Sequence, residues 1–186
     1  SSMSETMKDT IQKANIDIQS LNLLSTESVP EDAACLFIFS PATDLTEDEA
    51  GKVIDYLENG GKALIVSDYS EEDMPNFDSV LESYGVKRCD GIVLEGNTDN
   101  YISQNPYYLL PNIESNDITS ELSSGSRYIL MALAQGIQEI DNPRDTLDIQ
   151  SILTTSDSAY AKTDLENMQT MEKEDGDIDG PFNLGV

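Results

Sequence analysis

The sequence predicts an α/β fold: a mainly parallel sheet with helices on both faces, a three-layer domain. Three observations carry that expectation. The first two-thirds of the chain alternates strand-like and helix-like patterns, its strand-like segments are unbroken apolar runs, and its helix-like segments carry start and stop signals. Parallel strands need long crossovers, which helices supply, and strands covered on both faces read as continuous apolar runs. At 186 residues the chain is expected to form a single domain whose core needs no disulfide or metal staple.

The elements follow in order. Met3, Met7, Ile11 and Ala14 fall on one face of a first helix, and Ile16, Ile18, Leu21 and Leu23 alternate between Asn15 and Leu24. Pro30 punctuates, and Ala33-Ala34-Cys35-Leu36-Phe37-Ile38-Phe39 is an apolar run of strand length. Thr46-Glu47-Asp48-Glu49 is a capping box, in which the Thr46 hydroxyl and the Glu49 carboxylate satisfy orphan amides at a helix start. Ala50, Val53, Ile54 and Leu57 then recur at helical spacing, and Gly60-Gly61 supplies a left-handed stop. Ala63-Leu64-Ile65-Val66 is the next buried strand. Pro75 opens a helix bearing Phe77, Val80, Leu81 and Tyr84 on one face, and Gly85 ends it. Shorter strands are predicted at Gly91–Leu94, Arg127–Leu133 and Asp148–Leu153. Gly96 to Gly125 is an irregular polar excursion, and Ser156 to Asp179 an acidic loop before a last strand starting near Pro181. Ser1-Ser2-Met3 reads as an appended start and the final alternation stops early, so the chain is expected to be a piece of a longer protein.

Charge excludes several functions. Asp and Glu number 36 against 10 Lys and Arg, a formal net charge of −26. A field of that sign repels phosphate backbones and anionic headgroups, which argues against nucleic acid and against direct docking on anionic lipid. Histidine is absent, and with it Ser-His and Cys-His nucleophiles and the commonest transition-metal ligand. The two cysteines, Cys35 and Cys89, are too few for a zinc site and read as unrelated thiols, Cys35 buried in its apolar run, with a disulfide between them as the alternative. No apolar stretch approaches the roughly 18–20 residues of a membrane span.

Asp175-Gly176-Asp177-Ile178-Asp179-Gly180 matches the first half of a calcium loop. Val186 stands where that loop needs its bidentate Glu and Pro181 follows the glycine, so an acidic turn into a strand is the stronger reading and no metal is expected. Asn59-Gly60-Gly61-Lys62 lacks the other residues of a phosphate loop and runs from helix to strand; it is a helix end. Glu47-Asp48-Glu49 and Glu71-Glu72-Asp73 stand at helix starts, where the macrodipole favours them, so no carboxylate pair is singled out for catalysis. Tyr101, Tyr107 and Tyr108 either line a contact surface or pin the polar excursion to the sheet. Ligands of open parallel sheets sit at the strands' carboxyl ends. The candidate ligand-binding residues are therefore Ser40, Thr43 and Asp44 after the first strand, and Ser67, Asp68 and Tyr69 after the second. No cofactor is expected.

Several segments taken together resemble one known family. They are Leu21-Asn22-Leu23, Val29-Pro30-Glu31-Asp32-Ala33, Ser40-Pro41-Ala42-Thr43-Asp44-Leu45-Thr46-Glu47-Asp48-Glu49 and Asp55-Tyr56-Leu57-Glu58-Asn59-Gly60-Gly61-Lys62. Pro75-Asn76-Phe77 with Tyr84-Gly85-Val86 and Gly91-Ile92-Val93 follow, then Pro106-Tyr107-Tyr108-Leu109-Leu110-Pro111, Leu153-Thr154-Thr155-Ser156 with Ser158, and Asp179-Gly180-Pro181-Phe182. In this order they resemble the ABC-transporter auxiliary family, which includes the GldG-type component named from gliding motility. The resemblance implies a Rossmann-like domain of glutamine-amidotransferase-like topology, similar also to the GIFT domain of intraflagellar-transport proteins. It implies an extracytoplasmic domain of a membrane-anchored parent that accompanies an ABC permease and ATPase. It brings no catalytic residues. The expected function is thus a non-enzymatic accessory domain acting through protein–protein contacts; the alternative is a module binding a solute or cell-wall fragment at the strand ends.

Overall fold

A computed structural model describes residues 3–123, 127–141 and 144–186. Ser1, Ser2 and the end of the predicted polar excursion at 124–125 lie outside the described residues. The chain forms two compact units, Ser1–Ser83 and Tyr84–Val186.

The first unit follows the predicted order. Helix α1 (Glu5–Lys13) starts at Ser4, whose hydroxyl accepts the Met7 N–H. Strand β1 (Leu36–Phe39), helix α2 (Glu47–Glu58) and strand β2 (Ala63–Val66) make one strand–helix–strand unit, in which β1 and β2 pair in parallel with Phe37 beside Leu64 and Phe39 beside Val66. The capping box forms as predicted: the Thr46 hydroxyl accepts the Glu49 N–H at 3.2 Å, and the Glu49 carboxylate accepts the Thr46 N–H at 2.9 Å. Gly60 ends α2 at φ +90°, a conformation that residues with a Cβ rarely adopt. Helix α3 (Pro75–Glu82) packs on α2. Ala50, Val53 and Leu57 of α2, and Phe77 and Val80 of α3, are buried.

The second unit is antiparallel. Its strands are β3 (Val86–Arg88), β4 (Ile92–Leu94), β5 (Tyr108–Leu109) and β6 (Asn112–Ile113), then, after the short helix α4 (Ser120–Ser123), β7 (Met131–Ala132), β8 (Ile137–Glu139), β9 (Leu153–Thr154), β10 (Tyr160–Lys162), β11 (Ile178–Asp179) and β12 (Asn183–Gly185). They build a five-stranded sheet in the order β3-β8-β12-β9-β6, a three-stranded sheet β11-β10-β4 and a two-stranded ladder β5-β7. The core joins Cys89, Val93, Leu109, Ala134, Ala159, Ala161, Phe182 and Leu184, with Met131 and Leu153 packed against it.

The predicted mainly parallel, Rossmann-like three-layer sheet is therefore not what the chain builds: among the described residues β1–β2 is the single parallel ladder, and helices make up 20% of those residues. The reason is the connections. A parallel return needs a crossover of a dozen or more residues, which α2 provides between β1 and β2. Past α3 the described helical material is a four-residue helix and a three-residue 3₁₀ turn, Thr98–Asn100, so the strand–helix–strand unit does not recur, and strands remote in sequence pair antiparallel instead.

Local expectations are corrected too. Strand β1 begins at Leu36, leaving Cys35 exposed; Cys89 is buried, and both thiols are free. Neither β1 nor β2 is covered on both faces, since every residue of β1 is only half-buried and Leu64 is 41% exposed. Asn15–Leu24 forms no strand despite its alternation: Ile18, Leu21 and Leu23 are half-buried and Ile16 is exposed. The predicted acidic loop holds β10, the buried middle strand of its sheet. Within the predicted excursion, Tyr101, Tyr107 and Tyr108 are half-buried; Tyr107 and Tyr108 meet edge to face at 4.7 Å, and Tyr101 bridges Leu109.

Candidate functional site

The loops predicted to bind a ligand leave the same end of the parallel pair. Strands β1 and β2 end in register at Phe39 and Val66, and the Ser40 N–H donates to the Val66 carbonyl at 2.7 Å. Ser40–Asp44 and Ser67–Tyr69 therefore start side by side. Ser40 has φ +39°, in the left-handed region that costs a residue with a Cβ and that recurs at functional turns. Thr43 and Asp68 are exposed, whereas Ser67 and Tyr69 are half-buried.

Asp44 is otherwise engaged. Helix α3 starts with Pro75 at its first position and Met74 at its cap, and methionine has no oxygen with which to accept the free amides. Asp44 supplies both. One oxygen accepts the N–H of Phe77 at 2.8 Å and of Leu45 at 2.9 Å; the other accepts the Asn76 N–H at 3.0 Å and the Asn76 side-chain amide at 2.9 Å. Partial burial pushes its pKa up, but the hydrogen bonds from Phe77, Asn76 and Leu45 outweigh this and hold it below the usual carboxylate range. Its chemistry is that of a helix cap reaching across 33 residues of sequence.

The acidic loop likewise has an internal partner. Lys162, 1% exposed at the end of β10, donates to Glu174 at 2.7 Å and ion-pairs with Asp177 at 3.1 Å. Burial alone pulls its pKa down; the hydrogen bonds and negative charges of Glu174 and Asp177 outweigh it and leave the ammonium above the ordinary lysine value. This ammonium sits against Asp177, one of the carboxylates a calcium loop would have offered. Beside it opens a cavity of about 410 Å³ lined by Lys162, Thr163, Asp164, Asn167 and residues 174–177. Among the described residues no group of three or more acidic or cysteine side chains is placed to hold a metal ion.

A third polar centre was not foreseen from sequence. Glu95, 2% exposed, accepts the Ser156 N–H at 3.0 Å, the Asn97 N–H at 3.1 Å and the Ser156 hydroxyl. From it a ladder of amides runs through Asn97, Asn100 and Asn112 to the Thr155 carbonyl. The Thr155 hydroxyl in turn accepts the Phe182 N–H at 2.8 Å. Glu95 thus joins the turns at Asn97 and Ser156, remote in sequence, and the Thr155 hydroxyl ties the second of them to Phe182. The available signal was the hydroxyl run Thr154-Thr155-Ser156 beside a strand; nothing in the spacing points to Glu95.

A sequence model of a family described as an ABC-type uncharacterized transport system matches residues 4–186. No curated protein matches the chain. Among solved structures it is similar to the mmIFT52 N-terminal domain, with a TM-score of 0.63 and 18% identity over 83% of this chain and 66% of that one. At that identity the likeness concerns the fold alone.

Proposed function

We propose, from the premise that the chain belongs to the ABC-type uncharacterized transport system family, that it works without catalysis, by protein–protein contact, beside a permease and an ATPase on the extracytoplasmic face of a membrane. Membership gives the chain an auxiliary role in transport; the mode of action, partners and location are the proposal. The observation that carries it is the extent of the match, which takes in both compact units. The engaged state of the buried and half-buried carboxylates supports it: Asp44 caps a helix, Glu95 ties two turns together and Asp177 pairs with Lys162. Anchoring of the parent belongs to the proposal as well, since among the described residues no helix is long and apolar enough to cross a membrane.

The test is crosslinking and affinity purification of the full-length parent from its native membrane. Recovery of a permease and an ATPase in fixed ratio is expected. Recovery of the protein alone, under conditions that keep other membrane complexes intact, sinks the proposal. Turnover of an amide or ester substrate would overturn its non-enzymatic half.

A second reading, solute binding at the strand ends, is favoured by the Ser40–Val66 hydrogen bond that sets the two loops side by side. It assigns the contact to Ser40, Thr43, Ser67, Asp68 and Tyr69, with Asp44 holding the loop. A thermal-shift screen against sugars, peptides and metal ions decides it, because a bound solute must raise the melting temperature.

A further inference from the structure

The segment around β7 departs from the usual pattern of an antiparallel edge. Along an extended backbone, side chains alternate between faces. Ile129 and Met131 are half-buried, with Met131 packed on the core cluster. Tyr128, Leu130 and Ala132, on the opposite face, are exposed, Tyr128 by 79% and Leu130 by 55%. The solvent face of such a strand ordinarily carries polar side chains. Here no charged residue stands between Arg127 and Glu139, in a chain of which 25% is charged.

The strand is also an edge. Leu109 pairs with Met131 on one side and bridges Tyr101 on the other, so β5 is flanked on both sides while β7 ends its ladder among the described residues. The Leu133 N–H donates to the Tyr107 carbonyl at 3.2 Å. Amides alternate sides along a strand, so those of Leu130 and Ala132 point away from β5. An apolar face next to a row of outward backbone groups is what strand addition requires.

We propose that Tyr128–Ala132 is a docking strip that takes an extended segment of a partner protein as an added strand, with apolar side chains at alternate positions and Lys or Arg between them. The charge sets the sign of the partner. A formal net charge of −26 draws in a basic segment and repels a second copy of the same chain. The inference goes beyond the transport reading and stands without it.

A synthetic peptide of about ten residues alternating Lys with Val, and its Glu–Val counterpart, are titrated into the whole chain. Salt is held near 0.15 M to damp long-range attraction. The Lys–Val peptide is expected to bind and to slow hydrogen exchange at the Leu130 and Ala132 amides, while the Glu–Val peptide does not bind. Tyr128→Ser and Leu130→Ser leave the net charge unchanged and are expected to weaken binding about tenfold at an unchanged melting temperature. Equal binding to both variants would mean general charge attraction and overturn the proposal, as would no binding or unprotected amides. Sedimentation showing a dimer that Leu130→Ser dissolves would overturn it in favour of a second copy. A failed co-purification of transport subunits leaves all these outcomes readable, so the two proposals fail separately.

Discussion

Both oxygens of Asp44 serve the first turn of α3, so Asp44→Ala should cost about 1 kcal/mol of stability in urea denaturation, the usual weight of a lost cap. The pH dependence follows from the lowered pKa. Asp44 stabilises the fold fully above its unfolded-state value, near pH 4, and that contribution is lost as pH falls through the lower folded value. The gap between wild type and Asp44→Asn should thus stay constant from neutral pH down to about pH 5 and close below about pH 4. Lys162 carries a larger effect. Lys162→Met strands the nearly buried Asp177 without its counter-charge and should cost about 3 kcal/mol, while adding Asp177→Leu should restore most of it. A double variant no more stable than the single one would refute that account. Sequence could name Asp44 and Asp177 but not their work. With 36 acidic side chains in the chain, any one of them has acidic neighbours in sequence, and what distinguishes these two is a partner 33 or 15 residues away, as the residue numbers show. Glu95 was invisible for the same reason: its partner Ser156 is 61 residues distant.

Gly91 shows at the level of elements how the second unit is held. It has φ +79°, and a Cβ there would lie 2.0 Å from the Lys162 carbonyl, where β4 meets β10. Gly91→Ala combines backbone strain with a clash against backbone that cannot rotate away, and should cost about 3 kcal/mol or more; an unchanged denaturation midpoint would contradict the described approach of the two strands. The elements that sequence predicts well are those whose signals are local and long. The Thr46 capping box, the spacing through Leu57 and the Gly60 stop delimit α2, and Pro75 opens α3 where expected. The two apolar runs give β1 and β2. The strands of the second unit are two or three residues long, too short for a period to show. Their pairings join residues far apart, as in the antiparallel meeting of β4 with β10. Extending the strand–helix alternation of the first unit to the whole chain therefore predicted a parallel sheet, whereas the later strands, without helices of that length between them, pair antiparallel.

Across the whole molecule, the charge of −26 means self-repulsion in the compact state. Raising salt from about 0.02 to 0.5 M should accordingly raise the melting temperature by a few degrees, because the Debye length shrinks well below the size of the domain. A fall would show that the attractive pairs, such as Lys162–Glu174, outweigh the repulsion. Lys162 has a consequence of another kind. Loops built on a bound divalent ion are ordered only while the surrounding medium supplies that ion, so their shape reports its concentration. Here the positive charge is tethered to the neighbouring strand by a covalent side chain and travels with the protein. Melting curves taken in millimolar calcium and in chelator should superimpose apart from the general effect of ionic strength. On this account the turn is expected to keep its form whatever the mineral content of its surroundings, furnished from within by the lysine of the next strand.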